Sequence, residues 1–461
     1  MSEPPPDRDV AIVGAGVVGA AIARELSRFE LRCTLIDAGA DVGAGTSKAN
    51  TALLHTGFDA KPDTLEARLV RRGHQLLSEY APRAGIPLQR TGALLVAWSE
   101  EQRGAFSRIV DRARANGYTA IREVDVGELY RREPHLGQGA HGALEVPDEG
   151  IVCPFTTPLA FATEAVLAGC ELRLRSRVTE IQRLAAGGFR LETDSGPLTA
   201  RFLVNAAGLR SDELDRMLGH DRFTVTPRRG ELIVFDKLAR PLVGHIILAV
   251  PTGTTKGVLI APTVFGNVLL GPTAQDVTDR DDTSSTAEGL AYLRSEGGRI
   301  MPTLLAHEVT AVYVGLRAAT EHDDYQVRFD GGYACVAGIR STGLSASMAI
   351  AEHVRGALEE AGLTLRPKDP QPVTPRMPNI GELAPRPYAD AERIAADPEY
   401  GRIVCFCERA TRGEIRDAFA APVPAVDLDG LRRRTRVLMG RCQGFFCGAH
   451  VAALLAEANA R

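Results

Sequence analysis

The sequence of 461 residues is poor in several things, and each shortage closes off a class of protein. Lysine comes first: it supplies five of the 54 Lys plus Arg, a skew read as coding bias and not as a phosphate-binding patch. Positive charge is not in excess either. The net charge of −4 and a pI near 6.2 argue against nucleic acid as the main partner. No apolar run reaches the roughly 18 residues of a membrane span, so no transmembrane segment is expected. The first residues, MSEPPPDRDV, lack the basic stretch and apolar core of a signal peptide, and a cytoplasmic location is expected. Eight cysteines are too sparse for a disulfide scaffold. There is no internal repeat and no heptad seam, which excludes a solenoid and a coiled coil.

What is present is the composition of a globular enzyme: 44% hydrophobic, 24% charged and 5% aromatic residues, enough to bury a large core. At about 150 residues per domain, one to three domains are expected. The cysteines divide into two groups. Cys33, Cys153, Cys170 and Cys335 stand alone among apolar or glycine neighbours and read as buried, inert thiols. Cys405, Cys407, Cys442 and Cys447 crowd the end of the chain as C-x-C and C-x4-C, which in a reducing compartment reads as metal binding.

Residues 9–38 form the clearest unit: a β-branched strand from Val10 to Val13, glycines, a helix to Leu26, and a strand from Arg32 to Ile36. Helices are predicted over Leu65–Tyr80, Glu100–Asn116 and Pro158–Ala168, with strands over 93–98, 171–181, 188–192 and 202–208. From Arg222 to Gly271 the runs GELIVFDK, HIILAV, KGVLIAP and NVLLGPT, separated by turn signals, suggest an antiparallel sheet covering a site. Residues 366–400 begin with a stretch holding seven prolines, an extended or semi-rigid linker to a compact, Cys-bearing end.

Gly14-x-Gly16-x-x-Gly19 follows the first strand and opens the first helix. The first glycine allows the tight turn, the second lets backbone approach a pyrophosphate, and the third lets helix and strand pack closely. The helix end offers N–H groups to phosphate. Asp37, at the end of the second strand, can accept from a ribose diol. One dinucleotide is expected, and the pattern leaves FAD and NAD both open.

Further motifs follow in order: Thr46-Ser47-Lys48-Ala49-Asn50, His55-Thr56-Gly57, Asn205-Ala206-Ala207-Gly208, Gly315-Leu316-Arg317 and Gly338-Ile339-Arg340-Ser341-Thr342-Gly343-Leu344. Over residues 9–360 these resemble the D-amino-acid-oxidase-type flavoproteins, in the branch of FAD-dependent glycerol-3-phosphate and L-2-hydroxyglutarate dehydrogenases. The resemblance implies FAD held by Gly14, Gly16, Val18, Gly19, Asp37, Thr46, Ser47, Asn50, Val178, Ala206, Ala207, Gly208, Gly338, Gly343 and Leu344. It implies an α/β (α+β) architecture: a Rossmann-like FAD-binding domain (1–90, 145–220, 330–365) with an inserted antiparallel-sheet substrate domain (91–144, 221–329). A linker (366–400) and a small helical Cys-rich domain (401–461) complete the expectation.

Such enzymes need a cation for the anionic end of the substrate and a group that receives the hydroxyl proton. Arg317 is the first candidate cation and Arg340 the second. His55 matches a family histidine near the flavin and is the candidate base, with His322 a weaker competitor. After His55 the stretch TGFDAKPDTLEARL departs from the glycine-rich, arginine-containing stretch common in the glycerol-3-phosphate enzymes, which leaves L-2-hydroxyglutarate or another small hydroxy acid open as substrate.

The spacing of the four terminal cysteines suits a 2Fe-2S cluster or a tetrahedral zinc equally. With its GEI helix start and GRCQG-x-x-C end, the module resembles the bacterioferritin-associated-ferredoxin type, which implies the 2Fe-2S cluster. The pairing of domains resembles the catalytic subunits of anaerobic glycerol-3-phosphate dehydrogenases. It implies a relay of single electrons from reduced flavin to a partner subunit or quinone-linked carrier, and any membrane association would then be peripheral. An amine or amino-acid dehydrogenase of a heteromeric complex and a non-catalytic electron-transfer protein are the competing readings.

Overall fold

The computed structural model describes residues 6–251 and 257–460. The first five residues, and Lys256 at the head of the KGVLIAP run, lie outside the described residues. Strand β1 (Arg8–Val13), helix α1 (Val17–Leu26) and strand β2 (Cys33–Ile36) reproduce the order read from residues 9–38. Val10 to Val13 are buried, as a central parallel strand covered on both faces requires. Gly14 has φ +109°, and a Cβ there would lie 2.3 Å from the Ala206 carbonyl oxygen. A Cβ on Gly19 would lie 1.8 Å from the Gly14 oxygen, so α1 can lie on the strand only without a side chain there. Ile22 and Leu26 are fully buried on α1, each contributing about 1.5–3 kcal/mol of burial.

The first sheet has a parallel centre. Glu171–Arg173, β2, β1, Leu198–Asn205 and Tyr333–Ala337 lie side by side. Val178–Arg183, Phe189–Thr193 and Gln326–Asp330 extend it antiparallel. The single strand predicted over 171–181 is thus two, the first paired with β2 and the second with 189–193. Gln326–Asp330, expected in the inserted domain, belongs to this sheet. Helices Thr156–Leu167 and Gly343–Glu360 pack on α1, and Leu65–Ala84 packs on Gly343–Glu360. The helix from Leu65 runs past Tyr80, because Pro82 sits in its last turn and the stop is Gly85 in the left-handed region at φ +69°. The helix predicted over 100–116 is broken at Ala105.

Among the described residues the second sheet has nine strands. Its longest pair joins Thr226–Phe235 to Val309–Ala319, in a register that sets Arg228 opposite Arg317 and Gly230 opposite Gly315. The sheet is antiparallel except at one place, where Ile246–Ala249 runs parallel to Ala93–Ala97. Gly142–Val146 belongs to it whole, across the expected boundary at 144.

The proline-rich stretch is ordered along the body. Glu30 N–H donates to the Arg366 carbonyl (2.8 Å), Lys368 N–H to Arg28 (2.9 Å), Met377 N–H to Ala84 (2.8 Å) and Glu382 N–H to Val264 (2.9 Å). Beyond it, a short ribbon (Ile403–Cys405, Ala410–Thr411) and helices Arg412–Ala420, Leu428–Thr435 and Gly448–Asn459 form the terminal module. Buried arginines seat it. Arg433 and Arg434 converge on Asp41, 1% exposed, at 2.5 and 2.7 Å; Arg436 meets Glu408 at 3.2 Å and lies over the Phe265 ring; Arg386 meets Glu414 at 2.8 Å.

Candidate active site

Between the two sheets lies a cavity of about 1460 Å³. That exceeds the roughly 300–1,000 Å³ of a small-molecule pocket, and gives room for a dinucleotide together with a substrate. Gly14, Gly16 and Val18 line one end with Asp37. Gly19 and Gly338 are outside the lining; Gly19 serves the packing of α1 on its strand.

Asp37 fixes the glycine turn. Its two oxygens accept from Ala15 N–H and Gly39 N–H, both at 2.6 Å, and burial raises its pKa despite those donors. Each oxygen keeps a lone pair for a further donor. Ser47 Oγ accepts from Val17 N–H at 2.9 Å, and Thr46 Oγ1 donates to the Leu316 carbonyl at 2.9 Å. Asn50 closes its own loop, donating to the Ser47 carbonyl and accepting from Ala52 N–H. All three line the cavity. Ala206, Ala207 and Gly208, with Val178 across from them, form a wall of small side chains. Gly343 and Leu344 bring in the first turn of an 18-residue helix, whose N–H end faces the cavity. A floor without side chains, a buried carboxylate and helix ends fit FAD.

Arg317, Arg340 and His55 all line this cavity, but their surroundings differ. Arg317 is half-buried and donates to the Thr273 carbonyl at 3.2 Å. Among the described residues no carboxylate lies within ion-pair reach of it, and removal from water, then the nearby Arg228, pulls its pKa down to about 10. Arg340 is already held, by Glu66 at 3.4 Å and by the Asp323 carbonyl. His322 lies away from the cavity lining, with Nε2 3.1 Å from the Arg222 carbonyl.

His55 is placed by a small three-stranded sheet. Leu53–Leu54 pairs antiparallel with Gly150–Val152, Leu54 opposite Gly150, so the next residues, His55 and Glu149, face one another. His55 Nδ1 lies 3.1 Å from Glu149 Oε2, and Ser345 Oγ accepts from His55 N–H at 2.8 Å. Sequence reasoning missed Glu149 and Arg228. No motif marks them, and each enters through strand register.

In the terminal module the sulfurs stand in two pairs drawn across the motifs, Cys407 with Cys442 and Cys405 with Cys447. None of the four is joined in a disulfide. Backbone N–H groups of Phe446, Gly444 and Phe445 aim at the Cys442 sulfur, the Phe446 group first, and lower its pKa, while burial and then Cys405 push Cys447 up to about 11. Gln443 and Gly444, at φ +46° and +87°, turn the backbone so that these donors converge. A thiolate held by backbone N–H donors, as at Cys442, suits an anionic iron–sulfur centre. Phe406, Phe445 and Phe446 stand exposed around them.

Comparison with known proteins agrees with both parts. Residues 9–356 match the family model "FAD dependent oxidoreductase", and residues 403–457 match "BFD-like 2Fe-2S binding domain". A glycerol 3-phosphate dehydrogenase of Caloramator mitchellensis is 35% identical over 97% of this chain and 94% of its own. One subunit of the anaerobic glycerol-3-phosphate dehydrogenase of Escherichia coli K12 is 27% identical over 98% of this chain and 88% of its own. Among solved structures, the FAD-bound L-alpha-glycerophosphate oxidase of Mycoplasma pneumoniae superposes with TM-score 0.77 at 28% identity, covering 81% of this chain and 99% of that one.

Proposed function

Since the chain belongs to the FAD-dependent oxidoreductase family and carries a 2Fe-2S domain, we propose that it oxidises glycerol 3-phosphate to dihydroxyacetone phosphate and passes the electrons to a partner or quinone-linked acceptor. The observation that carries the substrate reading is Arg317, a cation on the cavity wall with no carboxylate of the described residues to neutralise it. Its planar fork suits a phosphate. His55, which also lines the cavity, receives the hydroxyl proton, so that one proton and one hydride leave the carbinol together. When bound, FAD supplies the hydride acceptor and the cluster a one-electron carrier. Cys405, Cys407, Cys442 and Cys447 hold the cluster, close to a face where exposed phenylalanines leave it near the surface. The reaction is read as cytoplasmic; among the described residues no helix is long and apolar enough to cross a membrane.

Anaerobic mixing with a small panel of donors tests the substrate. Glycerol 3-phosphate should bleach the flavin absorption, and L-2-hydroxyglutarate and amino acids should bleach it slowly or not at all. Bleaching by an amino acid alone would move the assignment to the amine and amino-acid branch. Cys405→Ser tests the route. Bleaching by substrate should persist while turnover with the physiological acceptor is lost, and unchanged turnover would remove the module from the path.

A further inference from the structure

Glu149 is fully buried, carries a carboxylate, and does not line the cavity. An ionised carboxyl in such a place is costly unless its oxygens are fully used. They are used by two consecutive residues. Oε1 accepts from Thr56 N–H at 2.7 Å and from Thr56 Oγ1 at 2.9 Å, which leaves Oε2 for His55 Nδ1 at 3.1 Å. Among the described residues His55 is its ion-pair partner, and no arginine or lysine shares it. The carboxylate is therefore locked on one side and points its remaining oxygen at the imidazole.

We propose that Glu149 is a positioning residue for His55, holding the ring in the one tautomer that can accept a proton from substrate; this rests on the reading of His55 as the base. With the proton of the neutral ring on Nδ1, donated to Glu149, the lone pair is on Nε2. When Nε2 takes the substrate proton, the imidazolium is balanced by a charge already in contact with it. Further titratable groups of the described residues stand nearby. Asp148 and Tyr118 bond each other at 3.2 Å, His74 meets the Asp148 carbonyl at 3.0 Å, and Asp59 and Glu66 line the cavity with His55.

The test compares purified, FAD-loaded wild type with Glu149→Gln, Glu149→Asp and His55→Asn. Glu149→Gln should lower kcat by about 10²–10⁴-fold with KM for the substrate little changed. Loss of the adjacent negative charge makes the imidazole easier to deprotonate, so the acid limb of kcat/KM should move to lower pH. Glu149→Asp, which keeps the charge, should leave that limb near its wild-type position and lose less rate. An acid limb unmoved in Glu149→Gln, while His55→Asn is inactive, would overturn the positioning role and leave the base assignment standing. Full activity in His55→Asn would instead overturn the base assignment itself. Histidine ring ¹⁵N resonances of the wild type, assigned by their loss in His55→Asn, give a readout apart from turnover. The Nδ1–H tautomer is expected, and the Nε2–H tautomer would overturn the proposal even if Glu149→Gln does not fold.

Discussion

The seam beneath the terminal module and the wall of the central cavity both take arginine out of water, and they treat it in opposite ways. At the seam Arg386, Arg433, Arg434 and Arg436 each meet a carboxylate, on Glu414, Asp41 or Glu408. On the cavity wall Arg317 meets a carbonyl oxygen and another arginine across the sheet. Pairing makes a structural joint; a pairing left unmade keeps a place for an anion that comes and goes. In a chain whose cations are nearly all arginine, the residue type says little, and the neighbours decide.

Removing each kind of arginine contact should separate the two regions. Arg317→Ala should have the largest effect, a fall in kcat/KM of about three orders of magnitude, from the loss of a charged contact worth roughly 4 kcal/mol. Arg340→Ala, at a cation already engaged by Glu66, should change steady-state constants by less than about fivefold. If the two variants exchanged ranks, the contrast between paired and unpaired arginines would be wrong.

At the seam, Asp41→Asn should cost about 3–5 kcal/mol, because it strands the buried Arg434 guanidinium and leaves Arg433 with Asp429 alone. Thermal unfolding would show it as a drop of several degrees, and bleaching by substrate should be less affected than turnover through the module. Burial would raise the Asp41 pKa, but Arg434 and Arg433 outweigh it, and the carboxyl ends below its usual 3.8. A lowered pKa stabilises the fold at pH values above the usual one, and this contribution fades as pH falls through the folded value. The gap between wild type and Asp41→Asn should therefore be full at neutral pH and close only in strong acid.

How far the sequence foretold these regions follows from the distance over which each was assembled. The segment from Gly14 to Gly19 is written within six residues, since Gly14 takes the positive φ of the turn and Gly19 leaves room for the Gly14 oxygen. Asp37 and the NAAG strand end were legible because the dinucleotide motif and the family order locate them. The meeting of His55 with Glu149 was not legible: it depends on two short strands finding one register across 94 residues. The parallel joint of 246–249 with 93–97 was equally hidden, because turn signals between neighbouring strands announce hairpins only. Nothing local to Arg433 and Arg434 announces their partner, because Asp41 lies 392 and 393 residues away in the chain.

The ordered proline-rich segment bears on how such proteins can be assembled from parts. A tail joined by a loose tether is a cassette, transferable to any host that accepts the cut. Here the passage from 366 to 382 is stitched to Glu30, Arg28, Ala84 and Val264, and the tail rests on a socket built around Asp41. Transplanting the iron–sulfur unit to another flavoprotein thus means transplanting its hem and its socket too, and lineages that shed the tail would be expected to lose all three together.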